Sequence, residues 1–172
     1  MALRPEAALG ALSARRKPLQ DSPTAAGNST AIAALLRLEA LGGNHRYREI
    51  AEDALACFAG IVEHFGLYAG SYGLAAERLL LAPVQVVIVG AGAEAARLET
   101  LAMARFAINK TVLRIDPAQL IAGEVPEALA ETLLQVPPPG EAKAWAMVCR
   151  GRTCLPPITE GEDLLKALEG EV

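Results

Sequence analysis

Cys149 and Cys154 stand five positions apart, with Arg150-Gly151-Arg152-Thr153 between them, and they are two of only three cysteines in the chain. Cysteine is the side chain that does redox, metal or nucleophilic chemistry with least help, and the arginines beside it favour the reactive thiolate. The pair is consistent with a disulfide across a hairpin, a shared metal or free thiols. Its spacing is not the C-x-x-C of thiol–disulfide enzymes. A four-ligand zinc site would need two more ligands from Cys57, His45 and His64, which have no paired spacing. The pattern favours two small buried apolar residues in adjacent strands, with a redox or reactive pair as the alternative.

Gly90-Ala91-Gly92-Ala93-Glu94-Ala95 follows an apolar β-branched run and opens a helical stretch, the local context of a G-x-G-x-x-G/A dinucleotide fingerprint. Gly90 and Gly92 would bring backbone amides to a pyrophosphate, and Asp116 at the end of the next strand would meet a ribose hydroxyl. Against this, Glu94 places negative charge in the first helical turn, and the chain after Asp116 is too short for the second half of a nucleotide fold. A structural turn is therefore expected at the glycines, and no cofactor is assigned. Asp21 and Asn28 lie in a polar loop with Pro23 and Gly27, where a carboxylate and an amide could face a cavity; turn stabilisation is the expected role. His64 suits a helix C-terminus, His45 a solvated first turn, and Glu49, Glu52 and Asp53 a solvent face.

The elements that must position these groups fall into two classes. Residues 1–83 read as helices. Asn28 or Ser29 is expected to cap the first, which Gly42-Gly43 stops. Asn44 is expected to cap a second, with an apolar stripe through Tyr47, Ile50, Ala54, Phe58, Ile61, Val62 and Phe65. A third runs from Tyr68 to Leu81 and ends before Pro83. Short connections imply antiparallel neighbours, and three helices bury their faces incompletely, as part of a larger helical array would.

From Val84 the period changes. Val86–Val89, a helix from Ala93 to Phe106 and Thr111–Ile115 form a βαβ unit with parallel strands. A helix from Pro126 to Leu134, a rigid break at Pro137–Gly140, a strand from Ala144 to Cys149 and a pairing segment from Cys154 to Ile158 follow. Thr159, with Glu162 in a capping box, starts a last helix to Leu168. The fold class is mixed α/β: antiparallel helices of an incomplete helical array over 1–83, which the family resemblance given below implies is an (α/α) toroid, then a small α/β sandwich over 84–172. Its order, β-α-β-α-β-β-α, coincides with that of a thioredoxin fold.

Composition narrows the classes. The 172 residues are 52% hydrophobic and 21% charged, with 4% aromatics, enough apolar content for a core and a helical bias from Ala and Leu. The net charge of −4 and pI near 5.3, without a basic tract flanked by aromatics, argue against nucleic acid. Arg15-Arg16-Lys17 is too short for a phosphate track. No apolar run reaches the ~18–20 residues that span a bilayer. The first residues lack a secretory core and only weakly resemble an organelle transit peptide. With an odd cysteine count, a cytoplasmic location is expected.

Together these segments resemble the C-terminal part of the thioredoxin-domain family whose mammalian member is the spermatogenesis-associated thioredoxin-like protein. Asp21, Gly27-Asn28-Ser29 and Ala33 to Leu38 look like the family's D-x-x-x-P-S-G-N loop and helix. Asn109-Lys110 looks like its P-N-K, and Ala146 through Cys149, Cys154, Pro157, Ile158 and Thr159 like its A-Y-V-C-x₄-C-x-x-P-V-T ending. Ala25-Ala26, Ile108 and Met147 depart from the pattern. The resemblance implies a parent with an N-terminal thioredoxin-like domain, a toroid of paired helices like that of sugar epimerases, and a C-terminal α/β piece. This chain would be a non-catalytic segment holding the last helices and the α/β piece, with the missing thioredoxin/toroid portion or a second copy as partner. A thiol-redox or sugar-epimerase-like enzyme component, using Cys149/Cys154 or Asp21/Asn28, and a dinucleotide-binding module are the alternatives.

Overall fold

The structure, a computed structural model, describes residues 17–136 and 139–169. The transit-like start and most of the basic run 15–17 lie outside the described residues.

Helix α1 (Gly27–Gly42) ends where Gly43 adopts φ 67° and returns its N–H to Glu39 O, the left-handed stop that the glycine pair predicts. Its start differs from expectation. Neither Asn28 nor Ser29 caps it. Asp21 Oδ1 instead accepts the Ala26 N–H at 2.7 Å, and Asn28 Nδ2 turns to Pro18 O at 2.9 Å. Helix α2 (Arg46–Ala59) begins one residue later than predicted: His45 is its N-cap and makes no side-chain capping bond, while Asn44 Oδ1, one position before, accepts the Arg46 N–H at 3.1 Å. It stops at Gly60, and a 3-10 segment, Val62–Ala69, broken at Gly66, takes the place of its expected last turn. Its buried seam is Ala51, Leu55 and Phe58; Phe58 is the one buried member of the predicted stripe, in which Tyr47, Ile50 and Ala54 are only half-buried. Helix α3 (Gly70–Leu80) completes the helical layer, whose core joins Leu19, Ile32, Leu36, Ala51, Leu55, Phe58, Tyr72 and Ala75.

Strands β1 (Val84–Gly90) and β2 (Lys110–Ile115) are parallel and are linked by α4 (Gly92–Ala104), the βαβ unit that the sequence predicts. After β2 comes a short helix not expected from sequence, α5 (Pro117–Ile121). Asp116 caps it through a box with Gln119, and Pro117 supplies a preset first turn. Helices α6 (Glu127–Leu134) and α7 (Gly161–Glu169) flank the antiparallel hairpin of β3 (Ala144–Arg150) and β4 (Thr153–Cys154). Helix α7 starts later than predicted: its first bond runs from Leu164 N to Glu160 O, so Thr159 lies outside the first turn.

The protein is thus mixed α/β, with seven α-helices and a four-stranded mixed sheet in the order β2-β1-β3-β4 among the described residues. The two-residue side-chain period of a strand sorts its core. Val86, Ile88, Ala146 and Val148 pack with Ala95, Leu98 and Ala102 of α4 and Leu164 of α7. Val87, Val89, Trp145 and Met147 pack with Ile115 and with Leu129 and Leu133 of α6. Each such aliphatic side chain fully removed from water contributes about 1.5–3 kcal/mol.

Polar bonds, rather than a shared apolar core, tie the helical layer to the sheet. Arg78 of α3 is 7% exposed and donates to Ile108 O, to Lys110 O at 3.2 Å and to Thr111 Oγ1 at 2.8 Å. Gln85 Nε2 reaches Ala40 O at 2.9 Å, and Asn109 Nδ2 donates to Ala82 O.

Candidate functional site

Cys149 and Cys154 face each other across β3 and β4 in register and form a disulfide, with Cα atoms 4.0 Å apart. This corrects the expectation of two small buried residues: Cys149 is 5% exposed, but Cys154 lies on the exposed edge of the hairpin. Strand geometry explains the pairing. Leu155 N bonds Val148 O at 2.9 Å, which leaves Cys149 and Cys154 as the neighbouring non-hydrogen-bonded pair, where side chains approach most closely. Gly151 at φ 57° supplies the turn. Beyond the disulfide, Ala146 and Ile158 exchange both backbone bonds, at 2.7 and 2.8 Å. That register is one residue out of step with the Cys149–Cys154 pair, so Pro156-Pro157 form a bulge, a place where a strand tolerates residues without an N–H.

Asp21 is a staple. Its Oδ1 accepts the Ala26 N–H and the Ser71 hydroxyl, and its Oδ2 accepts the Ser71 N–H at 2.8 Å, tying the first loop to the start of α3 fifty positions away. The Ser71 hydroxyl, then the Ser71 and Ala26 amides, hold the carboxyl below its ordinary value. Asn28 is committed to Pro18 O, so the two polar groups are not brought together as a pocket pair.

Gly90 and Gly92 each have a conformational task. At Gly90 the backbone has φ 147°, and a Cβ would lie 2.7 Å from Ala144 Cβ and 2.8 Å from Lys143 O. Close approach of β3 therefore requires glycine. Gly92, at φ 73°, opens α4 with open space around it. Asp116 uses Oδ1 to accept the Ala118 N–H at 2.8 Å. The fingerprint residues and Asp116 are accounted for by turn, packing and capping.

A cleft of about 550 Å³ lies beside these elements, between α4, the chain leading into β3 and the start of α7. Arg97 and Lys143 share its wall with Glu94, Glu141 and Glu160, so its charge is mixed. His64 is exposed in the 3-10 segment after α2 has ended, which removes the helix-dipole role expected of it. His45 Nδ1 lies 4.0 Å from Glu39 Oε1 on the surface, Glu49, Glu52 and Asp53 are exposed, and Cys57 is an exposed free thiol. Among the described residues, no three His, Cys, Asp or Glu side chains gather into a metal-binding group. No helix among them is long and apolar enough to cross a membrane.

Sequence reasoning missed Arg78 and the role of Asn109 as links between the helical layer and the sheet. Arg78 sits in Ala75-Ala76-Glu77-Arg78-Leu79-Leu80, where helical periodicity does not distinguish a buried arginine from a solvated one. No protein-family model, curated protein or solved structure matches this chain.

Proposed function

We propose that this chain serves as a non-catalytic C-terminal segment of a thioredoxin-domain/(α/α)-toroid protein, its helical layer packing against further paired helices of the toroid. One observation carries the reading: large apolar side chains of the helical layer are left in water. Leu67 is 97% exposed, Leu80 82% and Tyr68 63%, around the 3-10 segment and the end of α3. A layer complete in itself would cover such side chains. The residue resemblance adds the identity of the occupant, and the α1–α2 hairpin is the repeating unit that such a toroid is built from. Apart from the added α5, the βαβ unit followed by an antiparallel hairpin has the element order shared with a thioredoxin fold, consistent with the α/β sandwich part of the reading.

The test is hydrodynamic. The purified chain is expected to self-associate in sedimentation velocity and to brighten an uncharged dye such as Nile red. Leu67→Ser with Leu80→Ser should reduce both. A dye-silent monomer would overturn the proposal.

The exposed half of the disulfide favours a second reading, a thiol-redox component. An incoming thiolate attacks Cys154 Sγ, the S–S bond breaks, and Cys149 leaves as thiolate, giving a mixed disulfide. Trapping with a single-cysteine thiol should then modify Cys154. No adduct, or one confined to Cys149, would exclude this route.

A further inference from the structure

A groove runs along the junction of the helical layer and the sheet, and Asp21, Asn28, Gly90, Gly92, Asp116, Cys149 and Cys154 do not line it. It comprises two adjacent hollows of about 260 and 400 Å³ whose walls share Arg37, Phe106 and Ala107. Each is of the order of the small-molecule sites of proteins, about 300–1,000 Å³.

The lining is selective in charge. Arg37, Arg78, Arg105 and Lys110 contribute to it, and no Asp or Glu does. Arg105 is paired with Glu169 at 3.4 Å, but Arg37, Arg78 and Lys110 form no ion pair among the described residues. Arg78 spends its donors on carbonyls and a hydroxyl, and Lys110 donates to Ala102 O, so their charge is not neutralised. Burial, then the nearby Arg37, lowers Arg78 to about 10. Burial, then Arg105, lowers Lys110 as well. A concentration of unpaired cations in a chain of net charge −4 is a local feature rather than a reflection of bulk charge.

The same walls are apolar where they are not cationic. Phe106 is 85% exposed between the two hollows, and Leu74 and Met103 are also exposed. Ser29, 2% exposed, lines the smaller hollow, and its Oγ is buried without a hydrogen-bond partner. A buried hydroxyl left unpaired is costly unless an acceptor arrives.

We infer that this groove binds a small amphiphilic anion, its carboxylate or phosphate head held by Arg37 in the positive field of Arg78 and its aliphatic or aromatic body lying against Phe106. The head accepts charge-assisted hydrogen bonds from Arg37, whose guanidinium makes no other bond among the described residues. The Ser29 hydroxyl lies in the same wall as a further donor.

Calorimetric titration of the full chain with octanoate, octyl phosphate and octanol tests this. Both anions are expected to bind at one site, the tighter of the two naming the head group. Octanol should bind at least about tenfold more weakly, as loss of a charge-assisted contact requires. Arg37→Gln and Phe106→Ser should each weaken the anions by about tenfold, and Arg46→Gln on the exposed start of α2 should not. Both groove residues are exposed, so their variants should keep the parental melting curve. Octanol binding as tightly as the anions, anion affinity unchanged in Arg37→Gln, or no binding of either anion at millimolar concentration would overturn the inference. The last result would leave the groove to a protein segment.

Discussion

Replacing Gly90 by alanine separates packing from cofactor chemistry at the strand-to-helix turn. The new Cβ would meet Ala144 Cβ at 2.7 Å, Ala144 Cα at 2.8 Å and Lys143 O at 2.8 Å, in a backbone held at φ 147°. Two costs combine. Holding a non-glycine residue at that φ costs about 1–3 kcal/mol. Forcing β3 away from β1 in a closely packed sheet costs about 1–3 kcal/mol more, because two of the three opposing atoms are backbone. The total, about 2–6 kcal/mol, is a large part of the ~5–15 kcal/mol that holds a domain together. With a urea slope near 2 kcal/mol per molar, the unfolding midpoint should fall by about 1–3 M. Trp145, 5% exposed and paired with Val89 one step from the turn, reports the transition by fluorescence. Gly92→Ala is the internal control: φ is 73° but no atom lies within 4 Å, so only the backbone cost of about 1–2 kcal/mol applies. A Gly90→Ala midpoint no lower than that of Gly92→Ala would refute the packing argument. A pyrophosphate role for the glycines predicts a different outcome, lost protection by NAD or FAD in both variants.

Two further measurements address the other candidate residues. The Cys149–Cys154 disulfide, of sequence separation five, closes a short loop, so its reduction should cost about 2 kcal/mol through loop-closure entropy; an unchanged melting temperature in reductant would show that the link adds nothing to stability. The Asp21 carboxyl lies below its ordinary value of 3.8, so its contribution is fully present above that pH and disappears as pH falls through the lower folded value. The stability difference between the parent and Asp21→Ala should therefore be constant above about pH 3.8 and narrow as the solution is made more acid, and a gap that does not narrow in acid would dispose of the Asp21–Ser71 staple.

The opposite fates of the two cysteines and of Arg78 show where local reading ends. Val84–Gly90, Lys110–Ile115 and Ala144–Arg150 were legible as strands because β-branched and apolar runs bounded by Gly, Pro and Asp leave few other ways to bury them. The turn at Gly151, the stop at Gly43 and the parallel βαβ crossover were legible for the same local reason. Helix α2 ended early, and its buried seam shifted, because the helices packed around it select which stripe faces inward.

The sequence by itself determined most element types (though not α5 or the 3-10 segment after α2), the change of class near residue 84 and the hairpin around Gly151, since each follows from interactions a few residues apart. Only the tertiary structure decided that Asp21 binds Ser71, that Gly90 yields to the backbone of β3, and that Arg37 and Arg78 meet beside Phe106. Those contacts join residues dozens of positions apart. Hydrophobic period and capping rules act over a few residues, so they carry no information about which distant polar group will be the partner.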